Sequence, residues 1–253
     1  MPPAWPVDWL VPDWPAPSAV RAVCSTRAGG VSVGNFQGLN LGGHVGDDPA
    51  HVLWNRAWLR QAIGARPVFL EQVHGTYVTA LDAGSVDGEA ADACTTVAGG
   101  IACTIMVADC LPVLFTDLAG TRVAAAHAGW RGLCAGVLER AVEAFGSARG
   151  EVLAWLGPCI GPDAFEVGDE VKRAFEAHDA AAGQCFSAGA APGKWMADLP
   201  ALARQRLEAA GVQRIFGNDG SEAWCTVHDP LRFFSHRRDR VSGRFAACIW
   251  REA

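Results

Sequence analysis

The chain has 253 residues, enough for one large domain with a substantial core. Half of the residues are hydrophobic and 19% are charged, and 27 acidic against 21 basic residues leave a net charge of −6. That balance argues against a general nucleic-acid surface, though not against a nucleotide-sized ligand.

Nine cysteines, an odd number with no C-x-x-C pair, argue against a disulfide framework and predict buried, reduced thiols in a cytoplasmic protein. Residues 1–17, rich in proline and tryptophan, read as an extended arm lying on the domain, without the basic and apolar regions of a signal peptide. The longest apolar stretch, 97–108, is short of the roughly 20 residues that span a bilayer, so no membrane partner is expected.

Strand-like alternation from Arg21 gives way to a polar, glycine-rich passage that ends at Asp48. Asp47-Asp48-Pro49 then reads as a helix start, with apolar residues at Val52, Trp54, Leu59 and Ile63. Strands are predicted at 68–72 and 76–81, flanking His74, and at 101–108 and 111–116, split by Asp109 and Cys110. A turn at Asp117-Leu118-Ala119-Gly120 leads to a strand at 123–126. Helices are predicted at 131–145, 167–178 and 198–210, the last between Asp198 and Gly211, and strands at 151–156, 213–216 and 244–250. Hairpins mixed with strand–helix steps, and no composition shift, predict one α+β domain across 1–253.

Cys110 and His127 fall at the ends of two neighbouring apolar strands, and His74 lies in Glu71-Gln72-Val73-His74-Gly75. One thiol and two imidazoles can hold zinc with a fourth position open, or Cys110 can be a nucleophile with His127 as its base. Spacing alone leaves a third reading open, in which Cys110 is one more buried thiol and the histidines are satisfied polar residues. Cys225, beside Trp224 and near His228, is the other thiol to watch. Gly129-Trp130-Arg131-Gly132 follows His127 at a helix start, where free N–H groups and the Arg131 fork suit a phosphate or carboxylate. Arg27, Arg56 and Arg237 are further candidates for anion contacts, equally readable as members of structural ion pairs.

Glu71 to Gly75, Ala108-Asp109-Cys110 and His127 to Gly132 resemble the signatures of the YfiH/YlmD-type family. Its members are variously labelled multicopper polyphenol oxidase, laccase-domain protein, purine nucleoside phosphorylase and peptidoglycan editing factor. The resemblance extends to Thr26-Arg27-Ala28-Gly29-Gly30-Val31-Ser32, Gly157-Pro158-Cys159-Ile160-Gly161 and Phe233-Phe234-Ser235-His236-Arg237-Arg238-Asp239, and departs at positions such as Arg240, where glycine is common and no site role is expected. It implies a layered α/β/β/α fold with mixed sheets and a catalytic zinc on His74, Cys110 and His127. It also implies phosphorolysis of adenosine, inosine and methylthioadenosine, with adenosine deamination as a companion activity. On that reading Asn40, His44 and Gln72 are candidates for ribose or base contacts, Arg131 for phosphate and Asp109 for orienting a ligand. The expected partners are a purine nucleoside and phosphate, with the chain a monomer or weak homodimer.

The copper label conflicts with the composition, because a multicopper oxidase draws on His-x-His pairs and none of the seven histidines forms one. The rival to the nucleoside reading is a metal-free Cys–His amidase acting on peptidoglycan precursors.

Overall fold

Two apolar runs joined by the turn at Asp117 to Gly120 form the centre of the molecule. In the computed structural model, which describes residue 6 and residues 8–253, they pair antiparallel with Pro112 opposite His127 and Leu111 opposite Ala128. The strands in chain order are β1 (Val20–Cys24), β2 (Arg66–Phe69), β3 (Val78–Ala80), β4 (Ala93–Thr96), β5 (Ile101–Val107), β6 (Leu111–Asp117) and β7 (Val123–Ala128). They continue as β8 (Val152–Leu156), β9 (Glu166–Gly168), β10 (Phe186–Ala188), β11 (Lys194–Ala197), β12 (Arg214–Gly217) and β13 (Phe245–Arg251). The helices are α1 (Pro49–Ile63), α2 (Trp130–Ala135), α3 (Val137–Glu143), α4 (Asp169–Glu176), α5 (Leu199–Ala209) and α6 (His236–Asp239).

Both main sheets are mixed. One has the order β1-β13-β5-β2, with β2 parallel to β5 and the other pairs antiparallel. The other runs β12-β8-β6-β7-β4-β3, parallel only at its two outer pairs. Period-two alternation then sorts the side chains into layers. Cys103, Ile105 and Val107 of β5 meet Leu114 of β6 and Val123 and Ala125 of β7 between the sheets. Ala102 and Met106 face Leu59 and Ile63 of α1 on one outside face, and Ala124, Ala126 and Ala128 face Leu133, Val137 and Leu138 on the other. The result is the expected α/β/β/α sandwich. Phe233, Phe234, Phe245 and Trp155 fill its middle with almost no exposure, each burial contributing about 1.5–3 kcal/mol.

Local chemistry explains the elements that matter for the site. Asp48 caps α1 by accepting from the Ala50 amide, Pro49 opens it, and Gly64 ends it at φ 68°. From α1 the buried Asn55 side chain donates to Ser32 Oγ and the Asn40 carbonyl and accepts from the Val31 amide, tying down the glycine-rich passage. The arm lies on the domain where it is described: Trp9 is buried edge-on against Trp58, and Leu10 exchanges backbone hydrogen bonds with Cys24. Residues 1–5 and 7 of the predicted arm lie outside the described residues.

The structure corrects several boundaries. The helix expected over 131–145 is two helices, broken where Gly136 turns to φ 102° and its amide bonds back to the Gly132 and Leu133 carbonyls. The helix expected over 167–178 starts at Asp169, because 166–168 is strand β9, paired with β11. Strands β4, β9, β10 and β11 were not anticipated. They are short and carry alanine, threonine, serine, lysine, glutamate or glycine where periodicity expects branched apolar residues.

Candidate metal centre

His127 is the fifth residue of β7 and shares the inward face with Val123 and Ala125, so alternation points it between the sheets at their edge. Cys110 immediately precedes β6, whose register brings it alongside. His74 comes from the turn between β2 and β3 and has φ 61°, an unusual value for a residue with a side chain. That turn is held by Asp92, one residue before β4. Its Oδ1 accepts from the His74 amide at 2.8 Å, and its Oδ2 accepts from the Val73 amide at 3.1 Å and the Gly75 amide at 2.6 Å. The same Oδ1 lies 2.8 Å from Nδ1 of His127, which leaves the ring's Nε2 for a ligand.

Three donor atoms converge as a result. Those of His74, Cys110 and His127 all lie within 4.8 Å of one another, with His74 Nε2 at 3.7 Å from Cys110 Sγ. Zinc bonds of about 2.3 Å to sulfur and 2.0–2.1 Å to nitrogen in a tetrahedron place neighbouring ligand atoms roughly 3.3–3.6 Å apart. The donor set therefore suits zinc, with the His74–Cys110 pair already near that spacing. Gly129 keeps the space clear, since a Cβ there would stand 2.7 Å from His74 Cδ2 and 3.0 Å from Cys110 Sγ. Among the described residues this is the one cluster of three such ligands.

The electrostatics prepare the same atoms. Burial pushes the Cys110 thiol up, but the charge of His127 and hydrogen bonds from both histidines outweigh it and bring the thiol down to about 6. Burial pulls His127 down, and Cys110 and Asp92 overcome that to raise it to about 9. Asp92 is pushed up by burial, yet its bonds to His127 and to the Gly75 and His74 amides leave it below the usual carboxylate range. Both shifts favour a thiolate–imidazolium pair of Cys110 and His127 near neutral pH when no metal is bound. The other eight cysteines are buried and unpaired, as expected of small hydrophobes.

Two cavities hold several of the remaining candidate residues, and one of them reaches the centre. One of about 160 Å³ includes Cys110 in its wall and is lined by Trp130, Ile160, Phe165 and Leu199, with Asp109, His236, Arg237 and Arg240 as its polar part. The other, about 440 Å³, is lined by His44, Arg56, Gln72 and Met106 among others. Desolvation lowers the pKa of His44, and the charges of Arg244, Arg56 and His127 lower it further, so His44 lies within electrostatic reach of the centre.

The remaining candidates divide. Asn40 is fully buried, with its side chain committed to Asp47 and the amides of Gly42 and Arg244. Gln72 bonds the Met106 backbone with both ends of its amide. These two shape the walls instead of presenting free groups. Asp109, at φ 92°, accepts from Thr226 Oγ1 and the Arg237 amide, tying the Cys110 loop to α6; the imidazole is oriented by Asp92 instead. Arg131 is exposed and stacks 4.5 Å over Trp130, a pocket residue. Arg237 donates to the Ala164 and Glu166 carbonyls over the Phe165 ring, Arg56 packs on Phe69, and Arg27 packs on Phe234. Cys225 is buried and accepts from the Gly161 amide, outside the cluster.

Sequence reasoning missed Asp92, for which the only signal was an acidic residue directly before a strand, as Asp109 stands before Cys110 and β6. It also missed that Arg240 lines the Cys110 pocket, so the position expected to be remote from the site belongs to it.

The family model described as multi-copper polyphenol oxidoreductase laccase matches residues 21–252. A protein named purine nucleoside phosphorylase from Pseudomonas aeruginosa is 53% identical over 96% of this chain and 98% of its own. The purine nucleoside phosphorylase YfiH of Escherichia coli is 51% identical over 95% and 98%. A Neisseria meningitidis protein of known crystal structure superposes with a TM-score of 0.91 at 46% identity, covering 97% of this chain and 100% of that one. Sequence and fold together place the chain in this laccase-described family, of which the YfiH proteins are members.

Proposed function

We propose that the chain is a zinc-dependent purine nucleoside phosphorylase acting on adenosine, inosine and methylthioadenosine, with adenosine deamination as a companion activity. The observation that carries the reading is the convergence of one thiolate and two imidazoles beside an aromatic pocket whose wall includes Cys110. Relatives named for that activity, matched over nearly their whole length, support it.

His74, Cys110 and His127 would hold the ion, which when bound supplies a Lewis acid and lowers the pKa of water. The chain's own residues do the rest. Asp92 keeps His127 in one tautomer and holds the His74 turn, so neither imidazole spends free energy finding its place. The pocket, about 160 Å³, is smaller than the roughly 300–1,000 Å³ of a whole-ligand site, so it takes one part of a nucleoside. Trp130 and Phe165 make the purine ring that part, since aromatic faces stack on it. Arg131, packed on Trp130, offers a cation to the attacking phosphate. In phosphorolysis a phosphate oxygen bonds the anomeric carbon as the glycosidic bond breaks, and the bonding pair leaves with the base. Holding phosphate and sugar in line supplies most of what that step needs.

Adenosine and inosine, each incubated with and without phosphate and with free base counted, test the proposal together with zinc analysis of the purified protein. Phosphate-dependent base release by stoichiometrically zinc-loaded protein supports it; no phosphate dependence removes it. A second reading has its own support: Asp92, His127 and Cys110 are arranged as an orienting acid, base and nucleophile. Full amide-hydrolysing activity in metal-free protein would favour that cysteine hydrolase. Four-electron copper oxidation is disfavoured, because the single three-ligand cluster among the described residues leaves no set for a trinuclear centre.

A further inference from the structure

Arg240 is held in a conformation that arginine avoids. Its φ of 62° and ψ of −57°, with the Val241 amide bonded to the Asp239 carbonyl at 2.7 Å, define a classic γ-turn. This form is rare and strained for a residue with a side chain. Such strain persists where the surroundings over-determine it, and it gathers at ligand clamps. The turn places Arg240 and His236 on the wall of the Cys110 pocket.

The neighbouring charges leave this cation uncancelled. The carboxylate of Asp239 is taken by Nε and Nη2 of Arg238. Asp109 is occupied by Thr226 and the Arg237 amide. Arg237 itself is fixed on the Ala164 and Glu166 carbonyls. Arg240 and His236 are both exposed, and neither takes part in an ion pair among the described residues.

We propose that Arg240, held by the γ-turn and with His236 beside it, forms a phosphate-binding subsite at the rim of the Cys110 pocket. The phosphate is either the inorganic co-substrate or an ester on the nucleoside; both present the oxygens that an arginine fork grips in pairs. The inference rests on the nucleoside reading only for the identity of the second ligand.

The test is calorimetric titration of the zinc-loaded protein with inorganic phosphate and, separately, with adenosine 5′-monophosphate, for wild type, Arg240→Ala, Arg240→Lys and Arg240→Gly. Arg240→Ala should weaken phosphate binding about tenfold or more, with Arg240→Lys in between. Arg240→Gly should lose the same affinity while its melting temperature rises by roughly 2–10 °C, because glycine accepts the turn without strain. Affinity lost for inorganic phosphate identifies the co-substrate, and affinity lost only for the monophosphate identifies a substrate ester. Wild-type titrations for both ligands in all three variants would overturn the subsite. Phosphate that binds through Arg240 in a protein that releases no base would leave the subsite standing and remove the phosphorylase reading.

Discussion

Replacing Asp92 by asparagine separates a metal centre built by its supporting carboxylate from one that merely tolerates it. Asp92 is fully buried and accepts from four donors, two at each oxygen: Nδ1 of His127 and the His74 amide at Oδ1, and the Val73 and Gly75 amides at Oδ2. An asparagine has the same shape but exchanges one oxygen for an NH₂. In either orientation of the amide, that NH₂ faces two donors and leaves them unpaired.

Each hydrogen bond to a charged acceptor contributes about 1.5–3 kcal/mol, and an orphaned buried donor costs about 1–3 kcal/mol. Losing two bonds and the charge therefore costs on the order of 3–5 kcal/mol, or a melting temperature lower by roughly 6–20 °C in a chain this long. Metal affinity should fall about 10- to 100-fold, since the imidazole and the His74 turn are both released. Thermal unfolding and zinc titration against a competing chelator read the two effects separately. Asp92→Asn with wild-type zinc affinity and an unchanged melting temperature would refute the argument, and with it the claim that one carboxylate organises both histidines.

Gly129→Ala should lower zinc occupancy sharply with a smaller effect on folding, because the new methyl would collide with His74 Cδ2 and Cys110 Sγ; full occupancy on metal analysis would contradict that geometry. In metal-free protein, iodoacetamide should label Cys110 with a midpoint near pH 6, because the thiolate forms above that value and is lost as pH falls through it, and added zinc should protect it. Labelling that rises only near pH 9 would mean that His127 does not hold the thiolate. Cys110→Ala should abolish turnover and leave the melting temperature nearly unchanged, as a small, partly buried side chain on a pocket wall leaves little cavity. Arg131→Ala should impair phosphorolysis roughly 10- to 100-fold and deamination much less, and equal loss of both products would mean that it grips the nucleoside instead.

The sandwich was legible where a strand is a continuous run of apolar side chains. Residues 101–107, 111–117 and 245–251 announce themselves in that way, and Asp48-Pro49 and Asp198 mark helix starts through capping chemistry that acts locally. Strand β4 is different. Ala93-Cys94-Thr95-Thr96 is a strand because β7 and β3 lie on either side of it, a long-range cause that no short window contains. The break at Gly136 was missed for the opposite reason: the apolar rhythm continues through Leu133, Val137 and Leu138, while one backbone angle changes the direction of the chain.

The same distinction governs the site. Cys110 and His127 were readable as a pair because the short turn at Asp117 to Gly120 fixes the register of β6 against β7, and register alone brings them together. Nothing local links Asp92 to His127 or to His74. It meets them only because β4 pairs with the far side of β7 while the His74 turn crosses above it, and the contact exists only in the folded molecule. Arg240 was passed over because it stands where glycine is common in the family that the chain resembles, and no site role was expected of a departure there. Its γ-turn is a backbone fact, and its place beside Cys110 follows from Asp109 reaching 128 positions along the chain to the Arg237 amide. Ligand-bearing residues are thus visible where neighbouring strands carry them. The groups that orient those ligands come from distant segments, so their mutation, more than that of the ligands, tests whether the folded geometry has been understood.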